Sequence, residues 1–411
     1  MNDVDYRAKW VICNTRSPIQ DGVVSIRGGK IFSVKEFSKN DRASSFRSLI
    51  DLGDVAIIPG LINAHCHLEF SHLSQPLGHA GIPFTDWIRL VIEERSNRRT
   101  SLSESVLRGM QEVVTTGTVA IGEIATRPWP ISLEPLAELY GRWFLERLGN
   151  QPQLHATILE ESQSILSQLD QLPVFKSAAW RLGISPHAPY SVPLELLRGL
   201  TRFAEQLRTP LAIHVAETRA EIELLEHQTG PFVELLRSLG AWFPASQNER
   251  TGIRNYLEWL KNVPNVLLVH GNYLGEQDLD IVAKQSKTSI VYCPRTHHFF
   301  RHDPYPLAGM LRRGINVAVG TDSRASNPDL SLWRELQFIA NAFPTLDPQL
   351  VLKMGTWNGA IALDLHDLVG DIAPGLCSRL LQVHLDSQTN DPLEQLFHVE
   401  ESHVDWIGVE K

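Results

Sequence analysis

The chain has 411 residues, enough for two or three ordinary domains or for one α/β barrel with additions. Apolar residues make up 43% and charged residues 21%, which excludes a disordered or fibrous chain. With 38 basic against 47 acidic side chains the formal charge is −9, and the basic residues are scattered, so nucleic acid is not an expected partner.

Near the N-terminus only residues 10–13 form a short apolar run, with no small-residue cleavage site behind it. No later stretch approaches the roughly 18 apolar residues of a membrane span. The reading is a soluble cytoplasmic protein with a small-molecule substrate, no nucleic acid and no membrane, compatible with a homodimer. The four cysteines, Cys13, Cys66, Cys293 and Cys377, form no CxxC pair, so any metal must be held by histidine and carboxylate.

Residues 10–13, 22–26 and 28–34 alternate short β-type runs with glycine turns and predict a small sheet. From Asp54 the grammar changes to apolar runs separated by helical patterns, as in βα units of a parallel sheet buried on both faces. The runs are 55–58, 118–121, 143–145, 182–184, 211–215, 266–269, 289–292 and 315–319, with helical patterns such as 102–115, 193–207 and 330–342 between them. Arg142, Glu146 and Arg147 around 143–145 would suit a helix equally well. Eight runs predict a (β/α)8 TIM barrel of about the usual size. Residues 370–385 again read as turn and strand that return to the N-terminal sheet. The expected organisation is thus residues 1–56 and 363–411 as two parts of a small discontinuous β-sandwich domain, and 57–362 as the catalytic barrel.

The run from Val55 leads into His65 and His67, two imidazoles at i, i+2 that an extended segment projects to one side, a pattern suited to a divalent metal. Residues 211–215 contain His214, with Glu217 three residues on; 266–269 end at His270; 315–319 lead to Asp322. In a barrel the strand C-termini converge on one rim, so these four strand ends share a mouth despite their sequence distance.

The segments PGLINAHCHLEF, HVAET, VHGNY and GTDS, in this order and spacing, resemble the amidohydrolase superfamily, in its cytosine deaminase-like and chlorohydrolase-like branch. The opening DGVVSIRGGKIFSV is similar to that family's small β-domain, and the resemblance runs from Asp21 to about Leu385. Within the branch, HCHLEFS, TDWI, GISPHAPYS and GTDSRASN are most similar to aminodeoxyfutalosine deaminase-like proteins. After Pro374-Gly375 the chain continues Leu376-Cys377-Ser378-Arg379-Leu380, a departure from the usual acidic stretch that bears on the small domain.

The resemblance implies that His65, His67, His214 and Asp322 hold one divalent metal, zinc first and iron second. It makes Glu217 the proton carrier and His270 a non-ligand that orients water or stabilises charge. Arg181 to Pro186 contains no lysine to bridge a second metal, which favours a single ion. The implied activity is hydrolytic deamination of a purine-type heterocycle, a 6-aminopurine nucleoside first. Another hydrolase of the superfamily (a guanine, pterin or triazine deaminase, or a chlorohydrolase) and a noncatalytic scaffold are the alternatives. For substrate contacts, His187 lies in a loop stiffened by two prolines and Ser323 adjoins Asp322. Glu69 is read as a ribose contact or a helix cap, and Trp87 as a purine-stacking or a core aromatic. Arg147 is read as a contact for a substrate tail, and His297 as a substrate contact or part of a polar surface loop.

Overall fold

The computed structural model describes residues 3–38, 48–128, 139–177, 179–244, 252–386, 388 and 390–408. Fifteen strands run in chain order as β1 (Val4–Val11), β2 (Ile19–Arg27), β3 (Lys30–Glu36), β4 (Ser48–Asp51), β5 (Val55–Pro59), β6 (Leu61–Cys66), β7 (Thr118–Ala125), β8 (Tyr140–Arg147), β9 (Trp180–Pro186), β10 (Leu211–Val215), β11 (Val266–His270), β12 (Thr288–Tyr292), β13 (Asn316–Val319), β14 (Leu380–His384) and β15 (Val404–Trp406).

Strands β6 to β13 pair as parallel neighbours in sequence order and form the eight-stranded barrel. Its seam closes between the ends of β13 and β6. There the Thr321 and Asp322 N–H groups both donate to the His65 carbonyl at 3.1 Å, and Cys66 bridges Asp322. Asn63 reinforces the seam from its side chain, donating to Thr321 Oγ1 at 2.8 Å and accepting the Thr321 N–H at 3.1 Å.

The second unit is a seven-stranded sheet in the order β15-β14-β5-β1-β2-β3, with β4 also against β1. It draws strands from both ends of the chain, because β14 pairs antiparallel with β5 through Leu381 opposite Ile58. It docks on the barrel in part through Trp406, whose indole N–H donates to the Val114 carbonyl at 2.8 Å. No helix among the described residues is long and apolar enough to cross a membrane.

Residues 55–58, expected as the first barrel strand, belong instead to the second sheet as β5, and the first barrel strand is β6. Both strands are buried throughout, so hydrophobicity alone reads them as one run. They are separated at Pro59-Gly60, where the proline lacks an N–H and a Cβ on Gly60 would lie 2.8 Å from Val119 Cβ and 2.9 Å from the Arg379 carbonyl. The ambiguous run 143–145 is a strand, β8. Trp143 and Leu145 pack in the outer core and Phe144 in the barrel interior, an alternation that only a strand produces.

Gly320 lies at the seam, where an added Cβ would sit 2.8 Å from the His65 carbonyl oxygen and 2.9 Å from His65 Cβ. Gly320→Ala is expected to force β13 from β6 and to cost roughly 1–3 kcal/mol by overpacking, read as a lowered Tm in thermal unfolding.

Candidate active site

His214 enters the barrel mouth from within β10, and the other functional side chains enter from strand ends where regular geometry breaks. In β6 the register against β7 shifts between Asn63 and Cys66, an irregularity that re-aims the strand. The His65 and His67 rings then stand 4.9 Å apart, on the same side as expected from their spacing. After β10, at the end of β11 and after β13, Ala216, His270 and Asp322 adopt left-handed backbone with φ of 51°, 68° and 58°. Each such residue costs of order 1–3 kcal/mol, and the surrounding hydrogen bonds hold it. The Tyr305 hydroxyl donates to the His270 carbonyl at 2.9 Å, and the Tyr273 N–H donates to the Ala216 carbonyl at 2.9 Å.

The result is a compact cluster. Ligand nitrogens of His65, His67 and His214 lie within 4.8 Å of one another, and Asp322 Oδ1 lies 3.7 Å from Nε2 of both His65 and His67. Both ring nitrogens of His65 and Nδ1 of His67 are buried without a hydrogen-bond partner among the described residues. His214 Nδ1 is 2.8 Å from the His187 carbonyl, which fixes its tautomer and leaves Nε2 for the cluster.

Burial, then the neighbouring His65 imidazole, pushes the His67 pKa well below normal; burial, then His65 and His187, lowers that of His214 to about 3. Burial acts to raise Asp322, but the facing His65 and the His270 and His67 imidazoles outweigh it and hold the carboxylate below its usual range. Neutral imidazoles beside an ionised carboxylate, with orphaned lone pairs converging, are the state that a divalent cation takes, so the donor set fits one.

Glu217 is buried with Oε1 3.4 Å from His270 Nε2. Burial, then the charges of Asp322 and Glu221, pushes its pKa well above the carboxylate range. Burial likewise drives His270 far down, so its imidazole is neutral.

These groups open into a cavity of about 110 Å³ that Trp87, His187 and Ser323 also line. Three expected substrate contacts do not reach it. Glu69 is closed by Arg95 at 2.7 Å and Arg98 at 3.0 Å, one on each carboxylate oxygen. Arg147 points outward to Ser162 Oγ at 2.9 Å and Glu161, because in β8 it has the parity of Trp143 and Leu145. His297 packs among Tyr292, His302 and Tyr305, beside the pair of stacked tyrosines.

The sequence reading passed over Glu146, Arg95 and Tyr190, all of which line the cavity. Strand parity would have found Glu146, one residue from Arg147. It also passed over two buried carboxylates that hold loops in place. Glu123 accepts the Leu68 N–H behind His67, and Glu221 accepts the N–H groups of Ala216 at 3.1 Å and Glu217 at 2.8 Å.

Burial raises Glu221 to about 7 against those backbone donors. A raised carboxyl favours the fold fully below its unfolded value of 4.5 and loses that contribution as pH rises through about 7. In Glu221→Gln the amide NH2 must face one of the two N–H donors, so at pH 4.5 the variant is expected to be less stable by about 1 kcal/mol. Between pH 4.5 and 7 the gap should narrow, because the wild type alone pays for ionisation; denaturant titrations at the two pH values check it.

Comparisons with known proteins agree with this geometry. The family described as the amidohydrolase family matches residues 56–400. The 5-methylthioadenosine/S-adenosylhomocysteine deaminase of Pyrococcus furiosus is 28% identical over 396 residues, covering 92% of this chain and 84% of that one. The aminodeoxyfutalosine deaminase of Deinococcus radiodurans is 27% identical over 314 residues, covering 74% and 72%. The crystal structure of Helicobacter pylori aminofutalosine deaminase in complex with methylthio-coformycin superposes with a TM-score of 0.82 at 21% identity, covering 98% of this chain and 97% of that one. With the family match running from β5 through the whole barrel to beyond β14, the chain belongs to the amidohydrolase family.

Proposed function

We propose that this chain is a metal-dependent aminohydrolase that replaces the exocyclic amine of a 6-aminopurine nucleoside with oxygen and releases ammonia. The observation that carries the reading is Glu217, a buried carboxyl of raised pKa set beside the imidazole and carboxylate cluster in the same cavity. Relatives named as deaminases of 5-methylthioadenosine, S-adenosylhomocysteine and aminodeoxyfutalosine support the nucleoside assignment. A cytoplasmic setting is supported by Cys13, Cys66, Cys293 and Cys377, all of them free.

His65, His67, His214 and Asp322 would hold one ion, and imidazole with carboxylate suits zinc. When bound, a divalent ion supplies acidification of water, lowering its pKa from 15.7 to about 7. The remaining steps belong to the chain. Asp322, held ionised, accepts the proton that the attacking water gives up. Glu217 enters carrying a proton and gives it to the ring nitrogen beside the amine-bearing carbon, which makes that carbon electrophilic. Glu217, now ionised, takes the second proton of the former water from the newly added hydroxyl and passes it to the departing amine. Asp322 returns the first proton to Glu217, so that water and aminopurine become hydroxypurine and ammonia and both carboxyl groups are reset. His270, neutral and 3.4 Å from Glu217, donates toward the developing charge.

Trp87 is fixed for stacking on the base by its indole N–H, which donates to the Ala325 carbonyl at 2.9 Å, and by Phe84 at 5.4 Å between ring centroids. His187 Nδ1 meets Ser191 Oγ at 2.6 Å, which turns Nε2 to the substrate.

A second reading, a free heterocycle as substrate, is favoured by the 110 Å³ of the cavity, well below the roughly 300–1,000 Å³ of larger ligand sites. Ammonia release across nucleosides with different 5′ groups, free bases and triazines separates the two. Adenosine-type nucleosides are expected to give the highest kcat/KM; a free base or a triazine ahead of them would overturn the nucleoside assignment. Glu217→Gln should retain about one equivalent of metal by elemental analysis and lose 10²–10⁴-fold in kcat, since the amide cannot shuttle a proton. Two equivalents per active chain, or activity that survives full chelation, would contradict the single-ion centre.

A further inference from the structure

Resting on the nucleoside reading, we infer that Glu146 binds the sugar of the substrate, its carboxyl group pairing with the vicinal ribose hydroxyls. In β8 the residues Arg142, Phe144 and Glu146 share a face, and Glu146 ends that face inside the cavity that also holds Glu217. Glu146 is 3% exposed, and its Oε1 is buried without a hydrogen-bond partner among the described residues. An orphaned buried acceptor is costly unless something completes it, and none of the described residues does so for Glu146.

Its place along the cavity fits the middle of a substrate. A Glu146 oxygen lies within 4.8 Å of ligand nitrogens of His187 and His214. Arg95, paired with Glu69 at 2.7 Å, also lines the cavity, and its charge acts on Glu146. Glu69, the carboxylate that the sequence suggested for ribose, has both oxygens taken by arginines, which leaves Glu146 as the carboxyl with free capacity.

A second metal site made of Glu146, His187 and His214 is disfavoured. His214 has one nitrogen free, already directed to the His65 and His67 cluster, and His187 Nδ1 is engaged by Ser191. Of the polar groups on a 6-aminopurine nucleoside, ring nitrogens only accept and the exocyclic amine belongs at the imidazole end. The hydroxyls both donate and accept, and a pair of them matches the two oxygens of one carboxyl group.

The test compares kcat/KM of wild type, Glu146→Gln and Glu146→Ala on adenosine, 2′-deoxyadenosine, 3′-deoxyadenosine and 6-chloropurine riboside, with metal content and circular dichroism checked for each variant. Wild type is expected to lose about 10- to 100-fold on each deoxy substrate. Glu146→Ala should lose a similar factor on adenosine and on the 6-chloro riboside, with little further loss on the deoxy compounds. Glu146→Gln should fall between the two. Equal losses on ribo and deoxy substrates, or an effect that vanishes with the 6-chloro compound, would overturn the assignment while leaving nucleoside deamination standing. A wild type that acts only on free bases would overturn both.

Discussion

The His65 carbonyl oxygen accepts two backbone N–H groups from across the barrel seam, those of Thr321 and Asp322. This junction sets the distance between the first and last strands, and therefore between the His65 and His67 imidazoles and the Asp322 carboxylate. Had the seam opened by an ångström, the 3.7 Å approach of Asp322 Oδ1 to both imidazoles would be lost. Gly320 permits the approach because it has no Cβ, and Asn63 spends both ends of its amide on Thr321.

Desolvation is the second constraint. The same burial makes His67, His214 and His270 neutral, lifts Glu217 into a proton-holding state and raises Glu221 and Glu123. Asp322 goes the other way because imidazoles surround it. One low-dielectric pocket thus contains a carboxyl group suited to carry a proton and another suited to remain charged, a separation that acid–base chemistry at neutral pH needs. The backbone strain at Ala216, His270 and Asp322 is confined to the strand ends that present these groups.

Beyond the catalytic cavity lies a larger one of about 550 Å³, and the two share Tyr190. Tyr190 packs against Phe232 at 4.4 Å between ring centroids, the rings tilted by 30°, and meets His187 edge-on at 5.4 Å.

The barrel, the second sheet built from both chain ends, and the residues His65, His67, His214, Glu217, His270 and Asp322 that gather at one mouth were legible in the sequence, because each sits in or just beyond a strong apolar run whose polarity changes abruptly. The alternation that separates Glu146 from Arg147 was legible too, though it takes the strand assignment of β8 to use it. Tertiary structure alone decided the rest. Val55–Pro59 went to the second sheet because hydrogen-bond partners, not hydrophobicity, distinguish two consecutive buried strands. Glu69 was withdrawn from the cavity by Arg95 and Arg98, and His297 by packing against Tyr292 and Tyr305. A sequence states which groups a chain carries near a strand end; whether such a group faces substrate depends on which distant partner reaches it first.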